Sequence, residues 1–282
     1  MADLDQMQDP LGLLRLGYAK PLLELEARRW ENGTSGVRTE QVVEETPVAL
    51  VYNGIPHVVM MATPADLEDF ALGFSLTEEL IRGPADLESV EVVRYSRGIE
   101  VQIGVSRELE ETIASRARRL TGRTGCGICG ADSITGVLKE LHPVATSRPI
   151  SPDAIQRALG SLLSHQTLNA ASGAVHAAGW SSAEGVIEVA REDVGRHNAL
   201  DKLIGALLKR GIEPATGFAV VTSRASFEMV QKATVLGAPL LAAVSGPTGL
   251  AVRVAQQSGL TLVGFVRGQR LTVYTHPDRV AR

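Results

Sequence analysis

The chain has 282 residues, a formal net charge of −4, 44% hydrophobic and 21% charged residues, and 4% aromatics. This is globular composition, at a length that suits about two domains and buries roughly three quarters of its unfolded surface without a disulfide or structural metal. It excludes wholesale disorder, the strongly basic face of a general nucleic-acid binder and an aromatic base-stacking platform.

The acidic start, Met1-Ala2-Asp3-Leu4-Asp5, lacks the basic and apolar regions of a signal peptide, and no apolar run approaches the ~18 residues of a membrane span. A soluble, cytoplasmic protein is the expectation. Residues 1–36 are expected to be an N-terminal leader, with helical periodicity over 11–29 broken by Asn32-Gly33-Thr34-Ser35-Gly36. A small α+β domain is predicted over 37–120. Its strands are 37–44, 48–52, 55–61, 90–95 and 99–105, the second and third joined by the hairpin dipeptide Asn53-Gly54. Thr63-Pro64-Ala65-Asp66 is the signature of a capped helix start, followed by Leu67, Phe70, Ala71 and Phe74 at helical spacing. Residues 108–120 predict a second helix, with acids first and arginines last.

Residues 121–133 carry both cysteines among glycines and are expected to form a mobile loop. Beyond it, 134–282 form a second domain. Ser151-Pro152-Asp153 caps a helix, and from residue 174 short apolar strands (174–180, 186–191, 218–222, 240–244, 260–266) alternate with helices (199–209, 227–236, 250–257). That alternation predicts a βαβ sheet covered by helices.

The pair Cys126 and Cys129 is the strongest chemical signal. Zinc needs four ligands, or three and a water; only histidines could complete the set, and the H-x-E that precedes P-C-x-x-C in zinc deaminases is missing. A thioredoxin-like pair sits at a helix N-terminus rather than between glycines. Two small half-buried residues in a turn would have little to pack against here. Sulfur carriage needs an accessible thiolate on an arm that reaches two partners. Glycines at 125, 127 and 130, with Arg123 nearby to favour the anion, provide for it.

Gly125–Gly130 resembles the C-G-x-C-G signature of the formate dehydrogenase accessory sulfurtransferase (FdhD) family. Residues 192–202, Thr222-Ser223-Arg224 with 228–232, and Phe265-Val266-Arg267-Gly268-Gln269-Arg270 resemble further family segments, so that roughly 40–278 is covered. The resemblance implies a cytidine-deaminase-like second domain without the deaminase's zinc ligands or any tightly bound metal of its own. It also implies a sulfurtransferase that accepts sulfur from a cysteine desulfurase as a persulfide on Cys126, with Cys129 assisting. The sulfur passes to the molybdenum bis(molybdopterin guanine dinucleotide) cofactor, enabling formate dehydrogenase, and a homodimer is expected. The family's cofactor-binding segment falls on Phe265, Val266, Arg267, Gly268, Gln269 and Arg270. The alternative is a non-catalytic chaperone that delivers or protects that cofactor. Neither reading involves nucleic acid or membrane.

Of the 28 basic residues 23 are arginine, whose guanidinium fork suits phosphate, although genomic composition bias explains the count as well. Arg267 and Arg270 follow an apolar strand, where open α/β sheets bind ligands. Asp193, Arg196, His197, Asp201 and Lys202 exceed what a helix cap requires, and Arg196 and His197 are the expected phosphate or guanine contacts. Asn198 is expected to be the cap. His176, in an apolar strand, suits a satisfied interior histidine, and Gly246-Pro247-Thr248-Gly249 an ordinary helix start.

Overall fold

The computed structural model describes residues 15–120, 143–144 and 148–281. The chain first makes a long ribbon. β1 (Leu22–Glu31) and β2 (Thr34–Val43) pair antiparallel without a break in register, around Asn32 at φ 50° and Gly33 at φ 79°. Two successive positive φ values are what a tight two-residue hairpin requires. The helical periodicity read over 11–29, and the leader read over 1–36, are thereby corrected where the structure describes them: the Asn-Gly pair is a hairpin turn, not a helix stop.

The next sheet has the order β4-β3-β6-β5, built from β3 (Thr46–Tyr52), β4 (Ile55–Ala62), β5 (Leu87–Tyr95) and β6 (Gly98–Val105). Asn53-Gly54 closes β3–β4 as expected, with φ 45° and 80°. β3 and β6 run parallel, because α1 (Leu67–Thr77) crosses between the two hairpins. Helix α2 (Arg107–Leu120) also lies on this sheet and contributes Ile113 to its core.

α1 is buried on nearly all sides and belongs to two cores. Phe70, Ala71 and Phe74 pack on the first sheet, whereas Leu72 and Leu76 join the core of the second. Apolarity around the whole circumference is the mark of an interior helix. The expected hydroxyl cap is not made: α1 begins at Leu67 after Asp66 in the left-handed region. Thr63 points its polar groups across to the second sheet instead. Its N–H donates to Asp193 Oδ2 (3.0 Å) and its Oγ1 accepts from Val194 N (3.1 Å).

The second sheet has six strands in the order β12-β11-β10-β9-β7-β8. They are β7 (His176–Ser182), β8 (Ile187–Asp193), β9 (Gly217–Val221), β10 (Leu240–Ala243), β11 (Thr261–Arg267) and β12 (Arg270–Val273). β9, β10 and β11 are parallel, and β7–β8 is an antiparallel hairpin beside β9. Three helices cover one face: α5 (Arg196–Arg210), α6 (Phe227–Leu236) and α7 (Gly249–Ser258). α3 (Pro152–Leu162) covers the other, capped by Ser151 as expected, through a bond from Ala154 N (3.1 Å). A short helix α4 (Thr167–Ser172) precedes β7. This is the mixed α/β architecture the strand–helix alternation predicted.

α1 crosses α5 with no side chain between the backbones. A Cβ on Gly73 would stand 1.8 Å from Asp201 O, and one on Gly205 would stand 1.9 Å from Asp69 O. Only glycine fits at either position, and each removes the obstacle to the other helix.

Candidate functional site

The parallel strands of the second sheet all end on one side. β8 is parallel to β9, so Asp193 and the residues after it share that side with Thr222–Ser226, Val244–Gly249 and Phe265–Arg270. His176, opposite Asp193 in register, begins β7 there too. Ligands of open α/β sheets bind at this end.

The segment after β8 divides its labour. Glu192 is buried and caps α4, accepting from Leu168 N and Asn169 N (2.8 Å each). Asp193 is fully buried; Lys202 Nζ lies 2.6 Å from its Oδ2, while Gly195 N donates to its Oδ1 (2.7 Å). Lys202 also donates to Thr63 O (2.9 Å). Asn198 is not the cap. Gly195 holds that position, and Asn198 Nδ2 bridges Met61 O (2.9 Å) and Asp193 Oδ1 (3.0 Å). Asp201 turns to α1 and α6: Thr77 Oγ1 donates to it (2.8 Å), and Lys232 Nζ reaches both its oxygens (3.0 and 2.9 Å). The surplus polar residues of this segment therefore lock the two sheets together. Burial alone would depress the Lys232 pKa, but the Asp201 and Glu78 carboxylates outweigh it and hold the ammonium above its ordinary value.

Arg196 and His197 are what the segment leaves at the strand end. Neither α5 nor α6 has a side-chain cap, so first-turn N–H groups are left for an anion. Arg196 Nε and Ser226 Oγ are buried with no partner in the described protein. His197 Nε2 lies 2.9 Å from Glu228 Oε2, within ion-pair distance but without hydrogen-bond alignment. His176 joins this group and is only half-buried, which corrects the interior reading. Burial, then the neighbouring Arg196 and His197, lowers its pKa, while Asp193 opposes them. Ser226 and Glu228 were missed in the sequence because they look like an ordinary helix start; the strand-end topology is the signal that finds them. α7, by contrast, is an ordinary helix start, with Thr248 Oγ1 accepting from Ala251 N (3.2 Å).

The Phe265–Arg270 segment forms the tip of the β11–β12 hairpin. Phe265 has φ 52° and occupies a register shift between Gly264 and Arg267. The shift puts Val263 and Val266 on the same core face although they are three residues apart. Phe265 is thereby turned out, and its ring rests against Gly246, where a Cβ would stand 2.7 Å from it. Arg267 and Arg270 are exposed and opposite each other, with Gly268 at φ 54° between them. Val266 is a core residue, so its side chain offers nothing to a ligand.

The structure thus brings Arg196 and His197 to the same sheet end as Arg267 and Arg270, but not into contact. β8 and β11 are four strand spacings apart, about 19 Å at ~4.8 Å each. Cys126 and Cys129, in the segment 121–142, lie outside the described residues. Among the described residues no three His, Cys, Asp or Glu side chains are grouped to hold a metal, and no helix is long and apolar enough to cross a membrane.

The fold and site define an α/β protein of a β-ribbon and two larger sheets, with a broad cationic strand end. Residues 43–281 match the FdhD/NarQ family, and the chain belongs to that family. It is 53% identical over 244 residues to the sulfur carrier protein FdhD of Bordetella bronchiseptica, covering 86% of this chain and 88% of that protein. It is 50% identical over 253 residues to the protein of the same name from Xanthomonas campestris, covering 90% of each. A crystal structure assigned to a formate dehydrogenase accessory protein of Desulfotalea psychrophila shares the fold. Its TM-score is 0.72 at 24% identity, over 92% of this chain and 99% of that one.

Proposed function

We propose that this protein is a sulfur carrier serving formate dehydrogenase. In this reading Cys126 accepts sulfur from a cysteine desulfurase and passes it to a molybdenum bis(molybdopterin guanine dinucleotide) cofactor bound as substrate at the strand end. The thiolate attacks the outer sulfur of the donor's persulfide, one S–S bond forming as another breaks, and the donor leaves as a thiolate. Cys129 assists, and the protein works as a cytoplasmic homodimer.

The observation that carries the binding half is the gathering of two cationic clusters, Arg196 with His197 and Arg267 with Arg270, at one sheet end. A ligand with two dinucleotide arms carries phosphates on each of them. The orphaned Arg196 Nε and Ser226 Oγ, with two uncapped helix starts, fit one arm. Arg267 and Arg270, with Phe265 beside them, fit the other as a guanidinium pair under a stacking ring.

Two measurements test the reading. After incubation with a cysteine desulfurase and cysteine, mass spectrometry is expected to find one added sulfur on Cys126, removable by reductant. Cys126→Ala abolishes production of active formate dehydrogenase, and Cys129→Ala leaves part of it. No adduct under active turnover supports the chaperone alternative. In calorimetric titration, Arg267→Ala or Arg270→Ala weakens guanine-nucleotide binding by about 1.5–3 kcal/mol, and lysine restores little, because the fork geometry is lost. Unchanged affinity in both would move the site to Arg196 and His197.

A further inference from the structure

The β1–β2 ribbon is hard to account for within one chain. Ten residues per strand extend about 33 Å, yet only Leu22, Leu23, Glu40 and Val43 are even partly buried. Trp30 is 72% exposed and Val37 58%. A two-stranded hairpin without a packed face is marginal in water. Among the described residues β1 hydrogen-bonds only to β2, so its outer edge is unpaired.

Open edges are ordinarily blunted by shortness, proline, a bulge or repelling charge. β1 is long, its register is continuous, and it contains neither proline nor lysine. Its charges change sign along one face: Glu24 and Glu26, then Arg28. A two-fold axis perpendicular to the ribbon would oppose each residue to one of the same parity, so only certain registers exist. Centring on Glu26 opposes two carboxylates, and centring on Arg28 opposes two guanidiniums. Centring on Ala27 opposes Glu26 to the partner's Arg28, and Arg28 to the partner's Glu26, with no like charges facing. Opposed cross-strand charges of this kind stabilise a pair, and like charges destabilise it.

We propose that the outer edge of β1 is a self-pairing strand. It adds antiparallel to β1 of a second copy about Ala27 and makes one four-stranded ribbon from two hairpins. This assigns a surface and register to the homodimer of the functional reading, on which it rests only for the existence of a dimer.

The test uses the full-length chain in sedimentation velocity at a series of concentrations. Glu26→Arg or Arg28→Glu alone is expected to weaken the dimer by roughly tenfold or more, and the double swap Glu26→Arg with Arg28→Glu to restore it. In a Cys126→Ser, Cys129→Ser background, Ala27→Cys is expected to form an intermolecular disulfide on mild oxidation, since directly opposed Cβ atoms lie ~4.5–5.5 Å apart. Glu24→Cys, six positions out of register with itself, is not. A dimer unmoved by either charge reversal, with Ala27→Cys no more readily linked than Glu24→Cys, overturns the surface and leaves the dimer standing. A chain that sediments as a monomer throughout overturns both.

Discussion

His176 is a sensitive reporter of the strand end. Burial first, then the neighbouring Arg196 and His197, lowers its pKa from 6.5. The unfolded chain therefore binds the proton at a higher pH than the folded one. This side chain's contribution to stability is lost as pH falls below about 6.5 toward the folded midpoint, and the loss is complete beneath that midpoint. Arg196→Gln is expected to raise the imidazole midpoint part of the way back, burial being unchanged, as followed by chemical-shift titration. A midpoint that does not move would separate the two side chains. At this scale the sequence supplied Arg196, His197, Arg267 and Arg270, all of which reach the sheet end. It read Asp193, Asp201 and Lys202 only as more than a helix cap requires, and Asn198 as the cap, because polarity at a strand–helix junction does not say which sheet it faces. Their partners, Met61, Thr63 and Thr77, lie more than 120 positions away.

The same dipeptide at two places shows what a local signal does and does not carry. Asn53-Gly54 was legible because apolar strands flank it, whereas Asn32-Gly33 is flanked by Trp30-Glu31 and Thr34-Ser35, the apolar–polar alternation of 23–28 having ended at Arg29. A ribbon exposed on both faces has no apolar strand face to bury. Glycine has the complementary difficulty, since its reason is visible only in three dimensions. Gly73→Ala is expected to cost about 3 kcal/mol or more, because the new methyl meets a backbone carbonyl that cannot rotate away. Gly160→Ala, on the exposed side of α3 with nothing within 4 Å, is expected to gain about 0.5–1 kcal/mol from reduced backbone entropy. Urea denaturation of both variants gives the comparison, and a mild Gly73→Ala would mean the helices can part.

Across the whole molecule, Arg191 with Asp69 (2.7 Å) ties the second sheet to α1, and two ion pairs within the second unit, Lys202 with Asp193 and Lys232 with Asp201, reach across to Thr63 and Thr77 through their lysines. The last two are closed off from water, so removing one partner strands a buried charge. Lys232→Ala is expected to cost about 3–5 kcal/mol, and adding Asp201→Asn to recover much of it, by the same denaturation measurement. Both sheets should then unfold in one transition rather than two. A biphasic curve for the parent protein would contradict this. The strand pattern reads as a 37–120 unit followed by a βαβ unit, but no periodicity could announce that α1 belongs to both cores.

That shared helix has a consequence for where the chain can be cut. Because α1 supplies a wall of the second core and α5 a wall for α1, residues 15–120 and 148–281 expressed as separate polypeptides are each left with an open apolar groove. Each alone should aggregate, while co-expression should yield a stoichiometric, soluble pair held by the glycine crossing. Such a pair would lack both cysteines but keep both arginine clusters. Nucleotide capture could then be measured in a protein that has no sulfur to give.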